Sequence, residues 1–400
     1  MKTFEELNLN DQLLKAIKRL GFTEPTEIQE KSIPYVLEGK DVVGESSTGS
    51  GKTLAFGCGI IGKVEAGHGT QALVLTPTRE LAEQVKDELI KFSHEKPLSI
   101  ITIYGGVAMG PQIDALPTAD VIVATPGRLL DHMERGNIDL SHIKLLALDE
   151  VDRMLDMGFI DDVEKILKQC SEDHQTLFFS ATIMPRIKKL VSKFLKDPIE
   201  IRAGKQVDPS KLKQVYYDVS KGMKFALLVH LLKNEKSDLV MVFCNTRRNT
   251  DFVVKNLKLN GVKAVAIHGG LTQNKRSNTL SNFNDGKTEV LVCTDVAARG
   301  LHIDNVSHVY NYDLPNNPED YIHRIGRTAR AGEEGKVINT LCELDFDNFS
   351  RILNDYRDMK VDKVDSPKTE RVKIDATVSK PEGRGRFPRG RSNNNNRRRW

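Results

Sequence analysis

Residues 41–53 read DVVGESSTGSGKT, and their order decides the fold. Asp41–Gly44 is a short apolar run, Ser46–Thr53 (SSTGSGKT) is a turn rich in glycine and small polar residues, and an apolar helical stretch follows. Strand, glycine turn and helix in that order make a phosphate cradle. Gly49 and Gly51 let the backbone curl so that its N–H groups point at phosphate. Ser46, Ser47, Thr48 and Ser50 keep that turn small. Lys52 can reach the β- and γ-phosphates, and the Thr53 hydroxyl can ligate Mg²⁺. The helix that starts there presents its positive dipole end. The strict form of this loop has Gly at its first position, where this chain has Ser46.

Working outward, apolar runs recur at Ala72–Thr76, Ile100–Tyr104, Val121–Ala124, Leu145–Leu148 and Leu177–Phe179. Each is apolar on both faces and reads as a buried strand. Between them lie helical segments such as Glu80–Phe92, with Leu81, Val85 and Leu89 four apart on one face. Alternation of this kind implies a parallel sheet covered by helices. It pauses in the polar segment near 203–212. It restarts with Leu239–Phe243, Lys263–Ile267, Glu289–Cys293, Ser307–Tyr310 and Lys336–Leu341. The expectation is an α/β chain of two domains: 1–204, a linker at 205–212, and 213–360. Asp345–Asp365 also reads as helical.

Two features fit a nucleotide bound in the cradle. Asp149 and Glu150 end an aliphatic strand, and the C-terminal edge of a parallel sheet is where ligands bind. Asp149 can hold Mg²⁺ through water, while Glu150 orients and deprotonates an attacking water. In the second half, Arg324, Arg327 and Arg330 recur every third residue, on one side of an expected short helix. They read as a phosphate clamp that acts when the domains close.

Composition narrows the class. The 400 residues carry a net charge of +4. The last thirty hold ten basic and two acidic residues, a net +8, which leaves −4 on the first 370. Residues 361–400, with GRGRFPRGRSNNNNRRRW at their end, read as a disordered basic tail that attracts phosphates. No run of 18 apolar residues exists, so no membrane span is expected. The five cysteines are far apart and odd in number, which argues against a zinc site or disulfide framework and for a reduced, cytoplasmic location.

From Phe4 to Gly335 the segments resemble, in order, the DEAD-box RNA helicases of superfamily 2. The residues that carry this are Phe4 with GFTEPTEIQ (21–29), SSTGSGKT, PTRELAEQ (77–84), Gly105–Gly106, TPGR (125–128), DEVD (149–152) and SAT (180–182). In the second half they are VFCNTRRNTD (242–251), HGGLTQNKR (268–276), TDVAARGLHI (294–303) and HRIGRTAR (323–330). The resemblance implies two RecA-like domains and an ATP-dependent RNA helicase using ATP and Mg²⁺. It implies that Gln29 bonds the adenine edge and that Phe22 stacks on the ring, with Phe4 in support. Pro77, Thr78, Arg79, Gly105, Gly106, Thr125, Pro126 and Arg128 would lie along the RNA backbone, joined from the second domain by Gln273, Arg276 and Thr294. Asp152, Ser180, Thr182 and Arg324 would couple the nucleotide state to RNA. Backbone contacts predict little sequence specificity, on single strands or short duplexes. The tail would reach ribonucleoprotein partners.

The chain departs from the family pattern at Val151 (usually Ala), Ser46 and Ser47 (Ala and Gln), Ala329 (Gly) and His302 (Asp). The last puts the ribose contact in question, and Ala329 leaves any need for left-handed backbone unmet. Two other readings share these residues: a DNA helicase of the same superfamily, and an RNA chaperone that anneals strands through its tail.

Overall fold

In a computed structural model of the chain, the described residues are 2–46, 49–203, 212–298, 303, 306–329, 334–357 and 359–375. The first sheet has strands β1 (Val42–Glu45), β2 (Ala72–Leu75), β3 (Ile100–Ile103), β4 (Val121–Ala124), β5 (Leu145–Asp149), β6 (Gln175–Ser180) and β7 (Ile199–Arg202). They lie in the order β3-β4-β2-β5-β6-β1-β7, and every pairing is parallel. Helices that position the site are α1 (Glu27–Leu37), α2 (Lys52–Lys63), α3 (Arg79–Phe92) and α4 (Val151–Asp156).

The second sheet has β8 (Leu212–Asp218), β9 (Leu239–Phe243), β10 (Ala264–Ile267), β11 (Val290–Cys293), β12 (Val306–Asn311), β13 (Gly335–Leu341) and β14 (Asp362–Val364). Their order is β10-β11-β9-β12-β13-β8-β14, again parallel throughout. Its helices include α5 (Arg247–Leu259), α6 (Gln273–Asn284), α7 (Pro318–Ile325) and α8 (Phe346–Asp355).

Period-two alternation divides each strand between two apolar layers. Val42 and Val74 go to one face of the first sheet, and Val43, Leu73 and Leu75 to the other. Met241 and Val240 split the same way in the second sheet. Both faces of both sheets are therefore covered, as parallel sheets require. The phosphate loop follows β1, Asp149 and Glu150 close β5 and the Ser180–Thr182 turn closes β6, so these three share the C-terminal edge of the first sheet.

Three strands were not anticipated. β7 and β8 read IEIR and LKQVYYD, each mixing polar with apolar residues. β7 is an edge strand with one buried residue, so no apolar run announces it. The third corrects two expectations. Asp345–Asp365 is not one helix: α8 ends at Asp355, and β14 then pairs with β8. Consequently the expected tail does not begin at 361. Val361 packs on one core layer and Val364 and Val372 on the other, and the chain is placed through Asp375. Residues 376–400 lie outside the described residues, as do residue 204, the last of the expected first domain, and 205–211 of the expected linker, whose last residue, Leu212, opens β8.

Candidate active site and nucleic-acid interface

The phosphate loop joins β1 to α2. Gly49 and Gly51 have φ of +82° and +85°, the left-handed backbone that lets the loop turn back over the helix start. A side chain at Gly51 would overlap the Gln29 amide. Gln29 is 5% exposed, and its carboxamide is engaged within the protein. Its Oε1 accepts from the Thr26 N–H at 2.9 Å, and its Nε2 donates to the Gly51 carbonyl at 3.0 Å. The Thr26 hydroxyl donates to the Ser50 carbonyl at 2.7 Å. The expected adenine reader thus ties the start of α1 to the phosphate loop. Phe22 is 44% exposed beside a cavity of about 320 Å³ that Phe4 also lines. Phe4 itself is buried core. Ser47, Thr48, His302 and Arg330 lie outside the described residues.

Lys52, 5% exposed, donates to the Ser46 carbonyl at 3.2 Å. Its Nζ lies 3.9 Å from Asp149 Oδ1, close enough for an ion pair but too far for a hydrogen bond. That oxygen is buried and has no hydrogen-bond partner among the described residues. Burial pushes the Asp149 carboxyl above the usual carboxylate range; Lys52 opposes this and Glu150 adds to it. An unsatisfied carboxylate oxygen facing the phosphate loop suits a hydrated divalent cation, so these residues fit Mg²⁺.

Glu150 sits at φ +56°, which is uncommon for a residue with a side chain and costs of order 1–2 kcal/mol. Its carboxylate accepts from the Arg153 guanidinium one turn on. Arg153 is 2% exposed and was not singled out in the sequence. The DEVD stretch places it three residues after Glu150, on the same side of α4.

Asp152 binds the SAT turn. Its Oδ2 accepts from the Ala181 N–H at 3.1 Å, the Thr182 N–H at 3.0 Å and the Thr182 hydroxyl at 3.3 Å. In return its own N–H donates to the Ser180 hydroxyl at 3.1 Å, and that hydroxyl donates to the Thr182 carbonyl. The Ser46 N–H donates to the Ser180 carbonyl at 2.9 Å, so the same turn touches the phosphate loop.

The arginine triplet is not one helical face. Helix α7 ends at Ile325 with Gly326 as its C-cap, so Arg327 falls in the following turn. Arg324 is 1% exposed and faces inward, forming a fork with both Asp295 oxygens at 2.6 and 2.7 Å. It also donates to Asn311, Asn245 and the Asp313 carbonyl. Its charge is spent inside the second domain, joining the ends of β9, β11 and β12. Ala329 adopts φ +53°, so the left-handed backbone is present despite the side chain.

The expected RNA residues form two strips. In the first domain Thr78 caps α3, accepting from the Leu81 N–H. Arg79 lies over Gly106, where a side chain would overlap its guanidinium, and Arg128 donates to the Val107 carbonyl at 3.2 Å. Thr125 and Pro126 begin the helix that carries Arg128. Thr294 follows β11 in the second domain. Gln273 and Arg276 are on α6, and both reach across to Glu80 of α3. Gln273 Nε2 donates to Glu80 Oε1 at 3.3 Å. Arg276 Nε lies 2.8 Å from the same oxygen, close enough for an ion pair but out of line for a hydrogen bond. Glu80 stands within PTRELAEQ, yet sequence reasoning used only its neighbours.

Comparison with known proteins agrees with this geometry. Residues 26–190 match the DEAD/DEAH box helicase family and residues 223–332 the helicase conserved C-terminal domain. The chain is 46% identical over 341 residues to the ATP-dependent RNA helicase CshA of Listeria monocytogenes, covering 84% of this chain and 66% of that protein. It is 47% identical over 339 residues to the DEAD-box ATP-dependent RNA helicase CshA of Bacillus subtilis, covering 84% and 69%. The matches span about two thirds of those relatives' length. Among solved structures, S. cerevisiae Dbp5 bound to RNA and ADP BeF3 superposes with a TM-score of 0.83 at 32% identity, covering 91% of this chain and 96% of that one. Two RecA-like sheets, the order of the motifs along them and relatives of this identity lead to one conclusion: the chain belongs to the DEAD-box ATP-dependent RNA helicases.

Proposed function

We propose that this chain couples ATP turnover to local separation of short RNA duplexes, holding single-stranded RNA by its backbone across both domains. The observation that carries this is the Asp152 carboxylate. One short segment carries Asp149, 3.9 Å from Lys52 of the phosphate loop, and through Asp152 grips the Ser180–Thr182 turn. A change at the nucleotide is thereby passed to the domain edge.

In this reading Lys52 binds the terminal phosphates. Thr53 and, through water, Asp149 would hold Mg²⁺, which neutralises phosphate charge. Glu150 orients the attacking water and takes its proton. Arg327 and Arg330 stabilise transition-state charge when the domains close. His302 meets the ribose. Arg79, Arg128, Gln273, Arg276 and Thr294 contact RNA phosphates and 2′-hydroxyls. The basic tail adds attraction that is not sequence-selective and reaches ribonucleoprotein partners. The protein works in the cytoplasm, with its cysteines as thiols.

The test is ATPase rate with RNA and with DNA of one sequence. RNA is expected to stimulate and DNA not, and Lys52→Ala is expected to abolish the rate. Equal stimulation by DNA sinks the RNA reading, and an intact rate in Lys52→Ala sinks the whole assignment.

A further inference from the structure

Between Gly105–Gly106 and the helix that carries Arg128 lies a buried polar relay that neither the nucleotide site nor the RNA contacts use. Its members are Gln112, on the short helix Gly110–Ala115, and His132, on the helix Pro126–Glu134. Both side chains are buried, His132 completely. Gln112 Nε2 donates to the Tyr104 carbonyl at 3.0 Å, and its Oε1 lies 3.1 Å from His132 Nε2. His132 Nδ1 lies 3.3 Å from the Asn137 amide nitrogen.

The direction of every bond is forced from one end. A backbone carbonyl only accepts, so Gln112 turns its NH₂ to Tyr104 and its oxygen to the imidazole. His132 Nε2 must then carry the proton, which leaves Nδ1 bare to accept from Asn137. Burial, and after it Arg128, lowers the pKa of His132 and favours this neutral ring. Each group thus donates to the next, from Asn137 through His132 and Gln112 to the Tyr104 carbonyl.

Tyr104 is the residue before Gly105–Gly106, and Val107 is the residue after it. Arg128, one turn before His132 on the same helix, donates to the Val107 carbonyl from both terminal nitrogens at 3.2 Å. One helix therefore anchors both carbonyls that flank the glycine pair, one directly and one through the relay. Adjacent glycines left free sample the widest range of backbone conformations and lose the most entropy on ordering. Thr125 and Pro126 open that same helix, so the relay also sets the register of the pair against them.

We propose that Gln112 and His132 are positioning residues of the RNA site, which order Gly105–Gly106 against the Thr125–Arg128 turn before RNA arrives. This rests on the RNA reading given above. A loop ordered in advance loses less freedom on binding, so the relay acts on RNA affinity and not on the hydrolytic step.

The test is ATPase of the full chain at saturating ATP and rising concentration of a single-stranded oligoribonucleotide. His132→Leu keeps the bulk and removes the donor; Gln112→Met keeps the length and removes both polar ends. Each should raise the half-saturating RNA concentration about tenfold, the effect of losing one hydrogen bond, and leave the RNA-saturated rate within about twofold. The double variant should be no worse than the single ones, since one relay is broken in each. His132→Gln can place an amide N–H where the Nε2 proton stood, and it should recover most of the loss. A residue that only supports the fold gives a different result: fewer folded molecules, hence a lower saturated rate at an unchanged half-saturating concentration. Because His132 and Gln112 are buried, a further variant is Asn137→Ala. Asn137 is half-buried, and its loss frees the tautomer without opening the core; the half-saturating concentration should rise about two- to threefold. An unchanged value in all of these variants overturns the proposal, as do additive effects in the double variant or no recovery in His132→Gln. If RNA fails to stimulate the unaltered protein, the RNA reading fails and takes the proposal with it. Stimulation with an unmoved half-saturating concentration refutes the positioning role alone.

Discussion

Replacing Asp152 with Ala tests the link between the nucleotide site and the domain edge. The Ala181 and Thr182 N–H groups both donate to Asp152 Oδ2, a carboxylate that is itself 2% exposed. A hydrogen bond to a charged group contributes about 1.5–3 kcal/mol net. Thr182 is exposed and Ala181 half-buried, so water reaches both amides once the carboxylate is gone. The amides should then exchange with solvent about 10 to 100 times faster, since each 1.4 kcal/mol or so is tenfold. The assay is native-state hydrogen exchange resolved to residues 180–183, with the central amides of β6 as an internal reference. Those β6 amides pair with β1 and β5 and should keep their rates. The variant should still bind ATP through Lys52, and it should lose strand separation more than ATPase. A change below about threefold at both amides, with β6 unaffected, would show that the carboxylate does not hold the turn.

Three further outcomes follow from the geometry. Gly106→Ala forces a side chain into the Arg79 guanidinium at a φ of +79°. It should raise the RNA concentration for half-maximal ATPase about tenfold, the worth of one charge-assisted contact; an unchanged value removes Arg79 from the RNA site. Glu80→Gln leaves Arg276, whose side chain is 14% exposed, without its ion pair across the domains. The RNA requirement for ATPase should rise several-fold, more at low salt than at high, and salt-independence would argue against an ionic latch. Ala329→Gly relieves left-handed backbone at φ +53° and should stabilise the second domain by about 0.5–1 kcal/mol. A urea midpoint that falls at constant slope contradicts that.

Much of the scaffold was legible because parallel strands buried on both faces are apolar runs, and Leu145–Leu148 and Val290–Cys293 could hardly be read otherwise. Chemistry at strand ends followed from the same logic: Lys52, Asp149 and Glu150 converge because loops of one sheet share an edge. What escaped was set by tertiary partners. β14 is three residues whose strand character comes from the free edge of β8. Arg324 looks in sequence like one more clamp residue, yet Asp295, 29 residues away, ties it into the second domain. Helix periodicity could not foresee that Gly326 stops α7 between Arg324 and Arg327. Glu80, inside PTRELAEQ, and Arg153, just after DEVD, show no partner in the local sequence; their roles come from Arg276, nearly 200 residues on, and from the carboxylate three residues before.

β14 also bears on how the molecule avoids its own kind. Without it β8 would be the outer strand of the second sheet, presenting the seven-residue run LKQVYYD with a full row of open backbone donors and acceptors. Such a border invites a strand from another molecule and seeds aggregation. Three residues with two exposed charges, Asp362 and Lys363, cover its central Val215–Tyr217: too short to template a neighbour and too polar to attract one. A chain ending near 360 would keep every helicase motif and lose this guard, so its solubility, and not its catalysis, is where the shortening would first be felt.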